Sequence, residues 1–110
     1  MRFFLRSKIH KATVTDTDLN YEGSIGVDAS LMEKAGFLAG EKVLVADNSN
    51  GSRFETYVIK EEAGSGRIMI YGAASYLAKK GDEIIIMGFE LADEEIKPKV
   101  VLLGKGNSMI

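Results

Sequence analysis

Lys42-Val43-Leu44-Val45-Ala46 and Arg53-Phe54-Glu55-Thr56-Tyr57-Val58-Ile59-Lys60, separated by Asn48-Ser49-Asn50-Gly51, decide how this chain is read. β-branched and aromatic residues suit a pleated, half-buried surface, and asparagine and glycine are the residues that reverse a chain tightly. The stretch therefore predicts a β-hairpin. The same pattern, short β-rich runs broken by turn residues, extends in both directions. Upstream, Arg2 to Arg6 and Lys8 to Thr17 read as extended, with Ala12, Val14 and Asp16 on one side and Thr13, Thr15 and Thr17 on the other. Ser24 to Asp28 is a short third strand. Ser30-Leu31-Met32-Glu33 fits a capping box, with Asp28 as a competing cap, and opens a helix of about two turns that Gly36 would stop. Downstream, Gly64-Ser65-Gly66 turns into a strand over Arg67 to Tyr71. Gly72 to Leu77 is a tight turn into a short helix, and Glu83 to Leu91 is a strand holding the densest apolar run, Ile84 to Met87. Asp93 to Ile96 is expected as one helical turn, Val100 to Leu103 as a closing strand, and the tail after Gly104 as frayed.

About six or seven short strands in a chain of 110 residues would leave exposed edges in an open sheet. The expectation is a mainly β single domain over residues 1–110, closed into a small barrel with short helices, with oligomerisation covering whatever edge remains. Fourteen basic residues against sixteen acidic ones, a net charge of −2, give no footprint for nucleic acid or an anionic membrane. No apolar run approaches the ~20 residues of a membrane span, and Arg2-Phe3-Phe4-Leu5-Arg6 is too short for a secretory leader, so a cytoplasmic protein is expected. With no cysteine and one histidine, disulfide frameworks, thiol nucleophiles and a metal-ligand cluster are not expected. Hydroxyls and lysines remain as nucleophiles.

Within that inventory Tyr21-Glu22-Gly23-Ser24-Ile25 stands out. A serine hydroxyl beside an unhindered glycine carbonyl can attack it and turn the peptide bond into an ester. Glycine also accepts backbone geometry closed to other residues. The tetrahedral intermediate would need hydrogen-bond donors, for which Thr56 and nearby backbone amides are candidates. Alone, Gly23-Ser24 is most often an ordinary turn. Lys8 and His10, two apart, would share one face of an extended segment. Arg53, Glu55 and Tyr57 would share one face of their strand, with Thr56 on the other. Arg53 suits a carboxylate, and Tyr57, neutral at pH 7, can donate a proton. Gly72-Ala73-Ala74 could present backbone amides where no side chain intervenes.

Taken together, Lys8-Ile9-His10, Asp18-Leu19-Asn20-Tyr21-Glu22-Gly23-Ser24, Asn50-Gly51, Arg53-Phe54, Thr56-Tyr57, Gly72-Ala73-Ala74 and Gly81-Asp82 closely resemble the pyruvoyl-dependent aspartate 1-decarboxylases, which make β-alanine for pantothenate synthesis. The resemblance covers nearly the whole chain. It implies a double-psi β-barrel and a homotetramer with active sites between subunits. It also implies self-cleavage between Gly23 and Ser24 into chains 1–23 and 24–110, the second opening with a covalent pyruvoyl group derived from Ser24. That ketone would form an imine with L-aspartate and accept the electrons released by CO₂ loss, with neither metal nor pyridoxal phosphate. By the same resemblance, Lys8 and Arg53 hold the substrate carboxylates, Gly72, Ala73 and Ala74 line its site and Tyr57 is the proton donor. Thr56 supports processing, and His10 and Tyr21 have supporting places. A helper protein for maturation is compatible with the pattern. One departure is Tyr71, which stands where the family usually has asparagine before Gly-Ala-Ala. Two rival readings are a non-catalytic β-barrel binding or assembly module, and a self-processing decarboxylase of another acidic amino acid.

Overall fold

The hairpin forms as expected. β4 (Lys42–Asp47) and β5 (Arg53–Glu61) pair antiparallel from Lys42 opposite Tyr57 to Ala46 opposite Arg53. The turn between them is held by Asp47, whose Oδ1 accepts the Ser49 N–H at 2.7 Å, and by Asn50, whose Oδ1 accepts the Ser52 N–H at 2.8 Å. Short polar side chains that bind the backbone two residues on are what such a turn needs.

The computed structural model describes residues 1–110 and is mainly β. Besides the hairpin it contains β1 (Arg2–Thr13), β2 (Asp16–Asp18), β3 (Ser24–Asp28), α1 (Ala29–Ala35), β6 (Ile68–Tyr71), β7 (Glu83–Ala92) and β8 (Lys99–Leu102). Short 3-10 turns cover Gly72–Tyr76 and Lys105–Asn107. All eight strands join one sheet in the order β2-β6-β3-β5-β4-β7-β1-β8. Two expectations need correction here. There are eight strands rather than six or seven, and their ladder is not a closed ring, since β2 and β8 stand at its ends. The reason lies at Val14-Thr15. β1 pairs with β7, the chain bends, and after two residues β2 pairs with β6 instead. At the bend the Val14 N–H donates to Asp82 O at 2.9 Å and the Thr15 N–H to Ile68 O at 2.8 Å.

Alternation builds the core. Val43 and Val45 of β4 and Ile84 and Ile86 of β7 face inward, where they meet Ile9, Ile25, Val58 and Ile70. β1 needs an adjustment, because Ile9 and Ala12 are three apart and both fully buried. Lys11, in the left-handed conformation at φ 61°, supplies the bulge, and the register to β7 slips between Ile9 and Ala12. α1 packs its Leu31, Met32 and Ala35 on this core. Its cap is Asp28, not Ser30: Asp28 Oδ1 accepts from both the N–H and the hydroxyl of Ser30, at 2.8 and 2.6 Å. Gly36 ends the helix at φ 78°, as expected.

Asp93 to Ile96 form no helical turn: Asp93 and Glu94 bend, Glu95 and Ile96 are irregular, and Pro98 lies two residues beyond. The tail is pinned rather than frayed. Asn107, 3% exposed, donates from Nδ2 to Thr13 O at 2.9 Å and Gly66 O at 2.8 Å, while its Oδ1 accepts the Thr13 N–H at 2.7 Å. No helix is long and apolar enough to cross a membrane.

Candidate active site

Ser24 is the first residue of β3, a strand buried along its whole length. β3 runs antiparallel to β6, with Ser24 opposite Tyr71, and parallel to β5, with Ile25 opposite Val58. Counting back along both parallel strands sets Tyr57 level with Ser24 and Thr56 level with Gly23. The Ser24 side therefore lies between Tyr71 and Tyr57. Gly23 itself is exposed while Ser24 is 1% exposed, so the peptide between them spans the boundary of the fold. The Ser24 hydroxyl donates to Glu22 O at 3.0 Å, turning back toward the chain that precedes it.

Gly72 explains its own identity. It holds φ 71°, and a Cβ there would lie 2.6 Å from Gly23 Cα, 2.8 Å from Gly23 N and 3.2 Å from Tyr21 O. Only a glycine lets the two backbones approach this closely. Ala73 is exposed and Ala74 half-buried in the 3-10 turn that follows, so Gly72-Ala73-Ala74 lies directly against the Gly23 segment. Tyr21 stacks at a tilt on Tyr71, with ring centroids 4.8 Å apart. The Tyr71 hydroxyl donates to Glu61 Oε2 at 2.8 Å. Burial and the Glu61 carboxylate raise the Tyr71 pKa, so its hydroxyl stays a donor at neutral pH.

One chain does not bring every expected residue to Ser24. Lys8 lies on β1 opposite Met87 and Val100, four inter-strand steps from β3, or about 19 Å along the sheet. Lys8 and His10 are both half-buried between inward-facing Ser7 and Ile9 and so share a face, as expected; the buried His10 Nδ1 has no hydrogen-bond partner. Arg53 opens β5, four residues before Tyr57 and so about 13 Å along the strand. It lines an open cleft of about 780 Å³ with Phe3, Lys42, Phe54 and Phe89, at a distance from the Gly23-Ser24 junction. No group of three or more His, Cys, Asp or Glu side chains comes together to hold a metal.

Two features escaped the reading of the sequence. Glu61 reaches across Gly26, and that glycine, inside a five-residue strand, is the signal that a neighbour approaches closely. Asp47 and Asp82 form a facing carboxyl pair behind the hairpin turn. Burial and the Asp82 carboxylate push Asp47 up to about 6, while the hydrogen bond from Asp47 lowers Asp82. In each case the residue approached, Gly26 by Glu61 and Asp82 by Asp47, lies far away in sequence.

A family model described as aspartate decarboxylase matches residues 1–110. Among curated relatives, a protein of Thermosipho africanus named aspartate 1-decarboxylase is 53% identical over 108 residues, covering 96% of this chain and 90% of that one. Proteins of the same name from Thermotoga petrophila and Caldicellulosiruptor saccharolyticus are 48% and 53% identical, the first covering 100% of this chain and 96% of its own length, the second 96% and 86%. With the family matched from end to end and the Gly23-Ser24 junction seated against Tyr71 and Gly72, the chain belongs to the aspartate decarboxylase family.

Proposed function

We propose that this chain is a self-processing enzyme that removes CO₂ from L-aspartate to give β-alanine, the precursor used in pantothenate synthesis, and that it does so in the cytoplasm. The observation that carries the reading is the Gly23-Ser24 junction: a buried hydroxyl directed back along the chain, next to a glycine held against a second glycine. Ser24 Oγ attacks the Gly23 carbonyl carbon and the C–N bond breaks, leaving an ester and a free Ser24 amine. Thr56, level with Gly23 on β5, is the donor assigned to the intervening oxyanion. Loss of the Ser24 Cα proton then expels the Gly23 carboxylate from Cβ. Water adds, ammonia leaves, and residue 24 becomes a pyruvoyl group.

The residues present fit that group, because the serine that forms it is buried between a tyrosine on each neighbouring strand. The pyruvoyl ketone supplies the electron sink for the carbanion left by CO₂. The chain supplies the rest. Lys8 and Arg53 hold the two carboxylates of the substrate, which favours a dianion over its monoanionic neighbours. Tyr57 is the proton donor to the carbon that loses CO₂, and the backbone of Gly72, Ala73 and Ala74 lines the substrate. His10, Tyr21 and Tyr71 support these groups.

Lys8 and Arg53 face outward at a distance from Ser24 of the same chain, which supports a homotetramer with each site completed between copies. Apolar side chains on the same outer surface, Phe3 beside Leu91 and Phe89 further along β7, are 73, 48 and 42% exposed and need covering. The link through Val14-Thr15, joining the β7 side of the sheet to the β6 side, supports the double-psi barrel as the finer description of the fold. A Ser24→Ala chain forms neither ester nor ketone, so it should remain intact and release no CO₂ from aspartate. Retained activity in that variant would overturn the proposal.

A further inference from the structure

Glu61 lies over Gly26, two residues along β3 from Ser24, and the chemistry above gives it no task. It ends β5, opposite Asp28 of β3. Its side chain, 12% exposed, folds back over Gly26, two residues from Ser24, and fills the space that a side chain at Gly26 would take. Two groups hold it there. Arg67 Nε lies 3.1 Å from Oε1, and the Tyr71 hydroxyl donates to Oε2 at 2.8 Å. Tyr71 is the antiparallel partner of Ser24, its carbonyl oxygen is 4.0 Å from the position of a Gly23 Cβ, and its ring carries that of Tyr21. Residues 19 to 23 belong to no strand, so sheet pairing does not fix them.

We infer that Arg67, Glu61 and Tyr71 form a brace that holds Tyr21-Glu22-Gly23 against Gly72, making Tyr71 and Glu61 positioning residues for cleavage at Ser24. The inference rests on the self-cleavage reading. Attack by a neighbouring hydroxyl depends on orientation, and the segment bearing the scissile carbonyl is the part of the site that the ladder leaves loose. The brace fixes it from the side: the ion pair orients Glu61, Glu61 orients the Tyr71 ring through its hydroxyl, and the ring seats Tyr21. Arg67 also neutralises a carboxylate that would otherwise stand, uncompensated, close to a developing oxyanion. Tyr71 thus has a role in this chain different from that of an asparagine amide, one that requires Glu61 beside it.

The test is the cleavage rate of freshly purified full-length chain, followed by intact-mass spectrometry, for wild type, Tyr71→Phe, Glu61→Ala, Glu61→Gln and the Tyr71→Phe/Glu61→Ala double variant, with thermal midpoints in parallel. Tyr71→Phe and Glu61→Ala should each cleave about tenfold more slowly, the worth of one hydrogen bond to a charged acceptor. The double variant should be no slower than either single one, because both remove the same interaction. Glu61→Gln, whose single amide oxygen can accept from the Tyr71 hydroxyl or from Arg67 but not from both, should restore part of the rate. Wild-type rates in either single variant, or additive losses in the double, would overturn the brace while leaving self-cleavage intact. A slowing that simply follows the fall in thermal midpoint would also overturn it. A wild-type chain that stays whole while it converts aspartate to β-alanine would overturn the self-cleavage reading and the brace together.

Discussion

Replacing Gly72 with alanine puts the geometry of the junction to a quantitative test. The new Cβ would lie 2.6 Å from Gly23 Cα, whereas ordinary contact begins near 3.4 Å, so the two segments must separate by about 0.8 Å. Both atoms in the clash belong to backbone, so no side chain can swing aside. A misplacement of about 1 Å costs a positioned reaction about 10²-fold, so cleavage should slow by that order. Holding a non-glycine residue at φ 71° adds roughly 1–2 kcal/mol of strain. Gly40→Ala separates the two effects. Gly40 has φ 85° and nothing within 4 Å of its Cβ position, so it carries the strain without the clash. Intact-mass time courses and thermal melts on both variants provide the assay. Gly40→Ala should lose stability and cleave at the wild-type rate; Gly72→Ala should lose both stability and rate. Cleavage of Gly72→Ala at the rate of Gly40→Ala would refute the reasoning that backbone contact between Gly72 and Gly23 sets the reaction geometry.

Other predictions follow from the same structure. Asp47 is raised to about 6 from an unfolded value of 3.8, so the folded state binds the extra proton and stability falls as pH rises through about 6, by roughly 2 kcal/mol between pH 4 and 8. Asp47→Asn should flatten this slope in urea melts at a series of pH values, and an unchanged slope would reject the assignment. Asn107→Ala removes three part-buried hydrogen bonds to the Thr13 and Gly66 backbone, each worth about 1 kcal/mol, and should cost about 2–4 kcal/mol in urea unfolding, against almost nothing if the tail were loose. Arg53→Ala removes a cation from the carboxylate grip; in processed enzyme the KM for aspartate should rise by at least tenfold, and an unchanged KM would remove Arg53 from the substrate site.

The sequence revealed what short-range chemistry determines. The hairpin of β4 and β5 is legible because alternation and the Asn-Gly turn coincide, and α1 because a cap and Gly36 bracket it. The break at Val14-Thr15 is not legible, since alternation continues unbroken through it and only the change of partner from β7 to β6 marks it. Asn107 looked like part of a polar tail because its partners, Thr13 and Gly66, are 94 and 41 residues away. At the site, Gly23, Ser24 and Gly72 could be singled out from their residue types and Tyr71 only as a departure from the resembled family, and the fold brings them together. Glu61 could not. It reads as one more charge in Lys60-Glu61-Glu62, and becomes significant only when β5 lies beside Gly26 and Tyr71. Lys8 and Arg53 were legible as cations but not as distant from Ser24, because the number of strands between two residues is a property of topology.

Intact-mass spectrometry of the denatured protein, before and after warm incubation, tests the central claim most directly. The account predicts two chains divided after Gly23, with the chain of residues 24–110 lighter by the elements of ammonia than one beginning with serine. A single uncleaved chain of 110 residues, persisting through incubation while aspartate is still converted to β-alanine, would contradict it.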